Sequence, residues 1–440
     1  MPSQAHRPNS PRSRRDFLKL STAAAAAAVT SSLSVARGAH AAGSGVIKIG
    51  LIGCGGRGSG AASNAMNAGT DIRLVAMADV FEDRLTGALG RLKKMKPEQV
   101  QVSPDHCFIG FDAYQKLLQT DIDVVLIAAS SHFHPAFLKA AVAANKQIFC
   151  EKPHALDVPG ILSVTAVFEE ARRKKLNLVS GLCWRYDPAV RETMKRIHDG
   201  AIGDIVAVQE NYLSSPYGLR ERKPGWTEME YQLQNWYHFN WLSGDQTGQQ
   251  LIHSIDKGSW ALGDKPPLKA WGLGGRQVCT EPKYGDQYDH HAVVFEYPNG
   301  VRMFGFCRDM PGCYNETTDT VFGTKGVAYL PTKCRIEGEK PWHFESKQKT
   351  NMYDLEHKAL FDSIRAGRVI NNGDYCVLSS MLGIMAQMGC YTGQEITWEK
   401  AMSSKLLLAP NRYAWDAEPP VKPDAAGNYP TALPGITKFV

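Results

Sequence analysis

Apolar and polar positions follow two regimes along this chain, and the change falls near residue 170. Before it, mainly apolar runs at residues 46–52, 72–78, 123–129 and 147–150 alternate with helix-like segments at 61–68 and 134–145. Runs of this length suit parallel strands buried on both faces. After it, residues 205–212, 291–297 and 301–307 alternate with period two, as strands of an open, mainly antiparallel sheet with one covered face do. Pro298-Asn299-Gly300 predicts a hairpin between the last two. The predicted fold class is α/β, with a first domain over 42–170 and a second, carrying the large open sheet, over 171–405. Residues 406–440, rich in proline and poor in periodic apolar positions, are expected to form an extended arm that wraps a neighbour. A length of 440 residues favours two domains with separate cores.

Composition changes this picture only at the N-terminus. Ser13-Arg14-Arg15-Asp16-Phe17-Leu18-Lys19 precedes an alanine-rich uncharged run and then Ala39-His40-Ala41. That is the order of an export signal: basic region, weakly apolar region, small-residue cleavage site. The paired arginines with Phe17, Leu18 and Lys19 resemble the twin-arginine signal, read by export machinery that moves folded proteins across the bacterial inner membrane. Residues 1–41 are therefore expected to be removed and the mature chain to be periplasmic or otherwise exported. Their loss takes the net charge from +6 to about +1, so the basic balance belongs largely to the signal. Nothing beyond it is long and apolar enough to predict a membrane span, and no single-sign charge run predicts a nucleic-acid partner. The ten cysteines lack the dense spacing of a disulfide scaffold; only Cys307 and Cys313, flanking Met310-Pro311-Gly312, are placed to face each other.

The first apolar run ends in Gly53-Cys54-Gly55-Gly56-Arg57-Gly58, and the second ends at Asp79, twenty-one residues after Gly58. Strand, glycine turn, helix, strand and terminal acid form the dinucleotide-binding βαβ unit of a Rossmann domain. Gly53 serves the tight turn, Gly55 the approach of backbone to pyrophosphate, and Gly58 close helix packing, with phosphate at the helix N-terminus. Asp79 is expected to accept from ribose hydroxyls, which favours NAD; Arg84 keeps NADP open.

The next two apolar runs end at Ser130-Ser131-His132-Phe133-His134-Pro135 and at Glu151-Lys152-Pro153. Strand carboxyl ends are where ligands bind in open α/β sheets, so Ser130, His134, Glu151 and Lys152 join the expected cofactor crevice. These motifs, with Arg185-Tyr186-Asp187-Pro188, Gly200-Ala201-Ile202-Gly203 and His253-Ser254-Ile255-Asp256 leading to Trp260, resemble the Gfo/Idh/MocA family of glucose-fructose oxidoreductase and inositol dehydrogenase. The resemblance spans nearly all the mature chain. It implies an NAD(P)-dependent oxidoreductase acting on a sugar or polyol, assembled as a homo-oligomer, with Lys152 and His253 beside the nicotinamide between the two domains.

A histidine can take the hydroxyl proton of a carbinol at neutral pH, and a lysine cation can stabilise the developing alkoxide. Asp256, three residues on, is a candidate to orient the imidazole, and Arg185 and Tyr237 are candidate supporting or substrate residues. Aromatic planes at Trp236, Tyr237 and Trp241, with Asp245, suit a sugar ring as well as a core. Family dehydrogenases place an aspartate four residues before the histidine; this chain has Gln249, which hydrogen-bonds but cannot raise basicity by charge. Two other readings stand beside the dehydrogenase. The Gly-Gly-Arg-Gly loop and the signal resemble an NAD-dependent glycosidase branch that oxidises transiently, although its Tyr-Pro-Thr-His segment reads Gln250-Leu251-Ile252-His253 here. A non-catalytic binding protein with a structural dinucleotide is the third. No metal is expected, because alternation leaves at most Asp289 and His291 on one face.

Overall fold

The apolar runs of the first regime fold as β1 (Ile47–Ile52), β2 (Ile72–Asp79), β4 (Val124–Ile127) and β5 (Gln147–Cys150), joined by β3 (Cys107–Ile109) and β6 (Leu178–Ser180). The structure, a computed structural model, describes residues 45–346 and 348–439; residues 1–41, read as the export signal, lie outside the described residues. The six strands are all parallel in the order β3-β2-β1-β4-β5-β6. Strand order reverses between β1 and β4, so the crevice at their carboxyl ends is the topological switch point where ligands bind.

The second regime gives β7 (Ile205–Ser214), β8 (Lys269–Gly275), β9 (His290–Glu296), β10 (Arg302–Asp309), β11 (Glu316–Gly323), β12 (Gly326–Leu330), β13 (Arg335–Gly338), β14 (Trp342–His343) and β15 (Ile396–Thr397). They form one sheet in the order β14-β13-β12-β11-β7-β10-β9-β8-β15, antiparallel except for β7 beside β10. The hairpin turn lies where expected, with Asn299 at φ 63° and Gly300 at φ 76°. Alternation along β10 sends Met303, Cys307 and Asp309 to the helix-covered face.

Three expectations change. The boundary at residue 170 falls too early, because β6 completes the first sheet at residues 178–180, and a distant helix, Met352–Arg365, packs against the helix Gly56–Asn67 and β6, bringing Leu360, Phe361 and Ile364 into the apolar cluster that holds β1 and β2. The cores are not separate: one apolar cluster runs from Ile52, Leu138 and Ile148 through Leu251 and Phe295 to Met385. The connecting piece is the helix Gly373–Thr392, apolar on nearly every side and so buried between the first sheet's helix Val158–Arg173 and the strands β8 and β9. Residues 47–440 accordingly form one unit. The C-terminal arm is irregular, as expected, but lies on its own chain: Tyr429 packs edge-on against Phe239, and the Tyr288 hydroxyl donates to the Ala432 carbonyl at 2.9 Å.

Candidate active site

The glycine turn after β1 is built by close approaches that only hydrogen at Cα allows. Gly53 sits at φ +90°, where a Cβ would lie 2.5 Å from the Ala129 nitrogen, and a Cβ on Gly58 would meet the Gly53 oxygen at 1.8 Å. Gly55 differs: its nearest potential contact is Arg84 at 4.0 Å, and Gly56 has none within 4 Å. Space is therefore left over the backbone that opens the helix Gly56–Asn67, where orphan N–H groups face an anion. A cleft of about 340 Å³ runs from this turn past Asp79, Phe81, Phe111 and Phe133 on one side and Ser130, Trp236 and Tyr237 on the other. Asp79 already accepts from the backbone N–H of Cys54 (2.6 Å) and of Phe81 (2.9 Å). Burial holds its carboxyl above the usual range, but each oxygen keeps a lone pair for a ribose hydroxyl. The residues present thus fit a dinucleotide.

Close to Arg57, which lines this cleft, stand the groups that carry chemistry. Lys152 follows β5 and donates from Nζ to the Gln249 carbonyl; burial brings its pKa down to about 8. His253 lies in the first turn of the helix Ile252–Ala261, directly after a π-helical turn at Thr247–Leu251, a local irregularity frequent at functional sites. Burial, then the nearby cations Lys152, Lys257 and Arg57, push the imidazole pKa well below its ordinary value, so it is a neutral proton acceptor at pH 7. Its Nδ1 is buried and has no hydrogen-bond partner among the described residues.

Around this pair the candidate residues part company. Tyr237 is at the site, in a three-ring stack with Trp236 (3.8 Å between centroids) and Tyr217 (3.9 Å), its hydroxyl pKa raised to about 12 by burial. Gln249 does not face His253, because the π turn breaks the one-turn spacing; its amide donates to Ser131 Oγ (2.9 Å) and the Ser243 carbonyl (2.6 Å). Asp256 does not orient the imidazole either. It accepts two N–H groups of Arg185 and the Ser379 hydroxyl, while Arg185 also reaches Asp264 at 2.7 Å between the rings of Trp260 and Tyr375. Arg185 and Asp256 therefore form a buried brace, not substrate contacts. In the same motif, Asp187 caps the helix Pro188–His198 by accepting from Ala189 and Val190.

On the cofactor side, Ser130 lines the cleft, whereas His134 is fully buried with Nδ1 2.7 Å from the Pro153 carbonyl and Nε2 3.0 Å from that of Ala129. It ties the two strand-end loops together instead of facing a ligand. Arg57 pairs with Glu151 at 2.6 Å and lies over the Tyr353 ring, so the Glu151 carboxylate is committed to holding the glycine loop against β5. Cys54 contributes its backbone, its thiol pointing back to the Ala78 carbonyl. Trp241 and Asp245 belong to the interior: Trp241 donates to Gln232 (2.6 Å), and Asp245 accepts from Tyr391 and lies 3.2 Å from His291. Asp289 instead accepts the N–H groups of residues 277–279, so it does not converge with His291. All ten cysteines are free, Cys307 buried and Cys313 exposed.

The structure adds groups that sequence reasoning passed over. Tyr212 and Ser214, on the covered face of β7, and Asp309, on that of β10, meet the π turn: Tyr212 stacks toward His253 at 6.5 Å, and Gln250 donates to Asp309 at 2.9 Å and to Ser214 at 3.0 Å. Burial lifts the Asp309 pKa to about 6. An acid at a covered position of an alternating strand was the available signal. Below His253, Lys257 donates to the His253 carbonyl (2.6 Å) and pairs with Asp319 (3.0 Å), both side chains fully buried. Glu210 completes the trio; a Cβ on Gly258 would meet it at 2.4 Å, so this glycine admits the carboxyl.

Comparison with known proteins agrees with this geometry. Residues 47–179 match the family GFO_IDH_MocA, described as an oxidoreductase family with an NAD-binding Rossmann fold. Inositol 2-dehydrogenase of Salmonella typhimurium is 25% identical over 334 residues, covering 73% of this chain and 87% of the relative. Among solved structures, aldose-aldose oxidoreductase from Caulobacter crescentus shares the fold at TM-score 0.64 and 17% identity, over 80% of this chain and 99% of that one. Scyllo-inositol dehydrogenase from Lactobacillus casei, solved with bound NAD(H) and scyllo-inositol, does so at TM-score 0.61 and 20% identity, over 82% and 100%. Residues 47–179 thus match the NAD-binding Rossmann domain of the Gfo/Idh/MocA oxidoreductases, and the chain is an NAD-dependent oxidoreductase.

Proposed function

We propose that this enzyme is exported through its twin-arginine signal and oxidises a secondary alcohol of a cyclic polyol or sugar, using an NAD that stays bound and is recycled in place by passing its hydride to a second, carbonyl substrate or back to the same sugar. The observation that carries the reading is the closeness of Lys152 to a neutral, part-exposed His253, both within electrostatic reach of Arg57 in the lining of the nucleotide cleft. NAD, when bound, supplies the hydride acceptor. His253 takes the hydroxyl proton, and Lys152 holds the same oxygen and stabilises the charge developing on it. The Trp236, Tyr237 and Tyr217 stack offers an apolar wall for a ring, and Gln250, Ser214 and Asp309 supply hydrogen-bonding groups behind it. The relatives that act on inositol support the polyol class. An enzyme that folds before export can carry its dinucleotide with it, and an outer compartment poor in free NAD favours one that does not let go.

The test is to purify the mature protein without added nucleotide, dialyse it, and follow the near-ultraviolet absorbance of reduced nicotinamide as inositols, aldoses and aryl glycosides are added. A lasting rise with an inositol or aldose is expected. Release of an aglycone with no lasting rise would replace the reading with transient-redox glycoside cleavage.

A further inference from the structure

The cleft has two walls, and the C-terminal arm fastens both from outside. On the wall of the Rossmann domain, Trp415 packs on Phe81 (5.4 Å) and Phe111 (4.9 Å), and Tyr413 on Phe133 (5.4 Å), with the Tyr413 hydroxyl 2.6 Å from His132 Nε2. Phe81, Phe111 and Phe133 all line the cleft on the Asp79 side, away from His253. The opposite wall is the segment from the helix Glu228–Gln234 to Tyr237. Farther along, the arm holds that wall as well: Gln232 donates to the Val421 carbonyl (2.8 Å), and Tyr429 bonds Glu228 (2.5 Å) and packs on Phe239.

Direct ties cross between the walls, among them the Arg220–Asp83 ion pair at 3.7 Å. Arg84 donates to the carbonyl (3.0 Å) and the side chain (2.9 Å) of Gln234, with no carboxylate in ion-pair contact and its buried Nε unpartnered. A dinucleotide bound in this cleft lies between the two walls. Parting them strains the Arg84 tie and the arm together.

We propose that residues 413–429 are a strap that sets the rate of nucleotide release, with Tyr413 and Trp415 as positioning residues acting through Phe81, Phe111 and Phe133. Trp415 and Tyr413 are 37% and 43% exposed, so they form an outer layer that can be removed without opening the core. The proposal rests on the retained-cofactor reading above and names the part of the chain that produces it.

The experiment loads the full-length mature protein with radiolabelled NAD and follows loss of label after dilution into excess unlabelled NAD. The wild type is compared with Tyr413→Ala/Trp415→Ala and with the milder Trp415→Leu. Release at least about tenfold faster in the double variant, with an unchanged thermal transition, is the expected result, since contact losses appear mainly in off-rates. If the double variant loses its transition, Trp415→Leu decides, with a rise of about threefold expected. A wild type that retains label while the folded variants retain it equally overturns the strap and leaves the retained cofactor standing. A wild type that loses its label within seconds overturns both.

Discussion

Two side chains do the chemistry in this account, and each is set by its surroundings. Lys152 titrates near pH 8 because burial disfavours its charge, and His253 well below its ordinary pKa because burial and three cations act the same way. Catalysis as proposed needs Lys152 charged and His253 neutral. The kcat/KM profile should therefore have its acid limb well below the ordinary histidine range and fall above about pH 8, where Lys152 loses its proton. A basic limb that persists in Lys152→Met would assign it elsewhere. Replacing either residue by alanine should cost about 100-fold or more in turnover with nucleotide still bound, measured by single-turnover kinetics and nucleotide content. Gln249→Asp should not move the acid limb, because this side chain faces Ser131 and the Ser243 carbonyl. It should instead lower stability by about 1–3 kcal/mol, since a carboxylate cannot donate to that carbonyl, and thermal unfolding will show it.

At the level of elements, the π turn and the helix after it are the unit that matters. Lys257 fixes this helix by bonding the His253 carbonyl while paired with Asp319 in a dry interior. Lys257→Met strands two buried carboxyl groups, so a loss of about 3–5 kcal/mol is expected in denaturant unfolding; Lys257→Met with Asp319→Leu should lose less than the two single changes added. Strands β1, β2, β4, β5, β7, β9 and β10 and the glycine turn were legible in sequence because period and turn chemistry are local signals, and the positions of Lys152 and His253 because they sit in motifs at strand and helix ends. The roles of Arg185 and Asp256 were not, because Asp264, Ser379 and Tyr375, which complete their brace, come from distant segments. Gln249 was misread for a different reason: helical spacing assumes 3.6 residues per turn, and the π turn breaks it at this place. The same holds for the helix Met352–Arg365, whose apolar stripe does not reveal that it belongs to the first sheet.

Over residues 47–440, an apolar cluster shared by both sheets and a returning arm make a single unit that contains the nucleotide cleft. That suits an enzyme loaded before export, and Arg14→Lys with Arg15→Lys should stop its appearance in the periplasm without changing its stability, as fractionation and thermal melts will show. The central claim is narrower: a polyol or sugar hydroxyl is oxidised within this cleft by hydride transfer assisted by His253 and Lys152. The most direct measurement mixes NAD-loaded protein with an inositol or aldose carrying deuterium on the reacting carbon and times the formation of reduced nicotinamide within one turnover. The account predicts a near-ultraviolet rise that deuterium slows and that His253→Ala reduces by about 100-fold or more. A rise unaffected by His253→Ala, or none with any inositol or aldose, would contradict it.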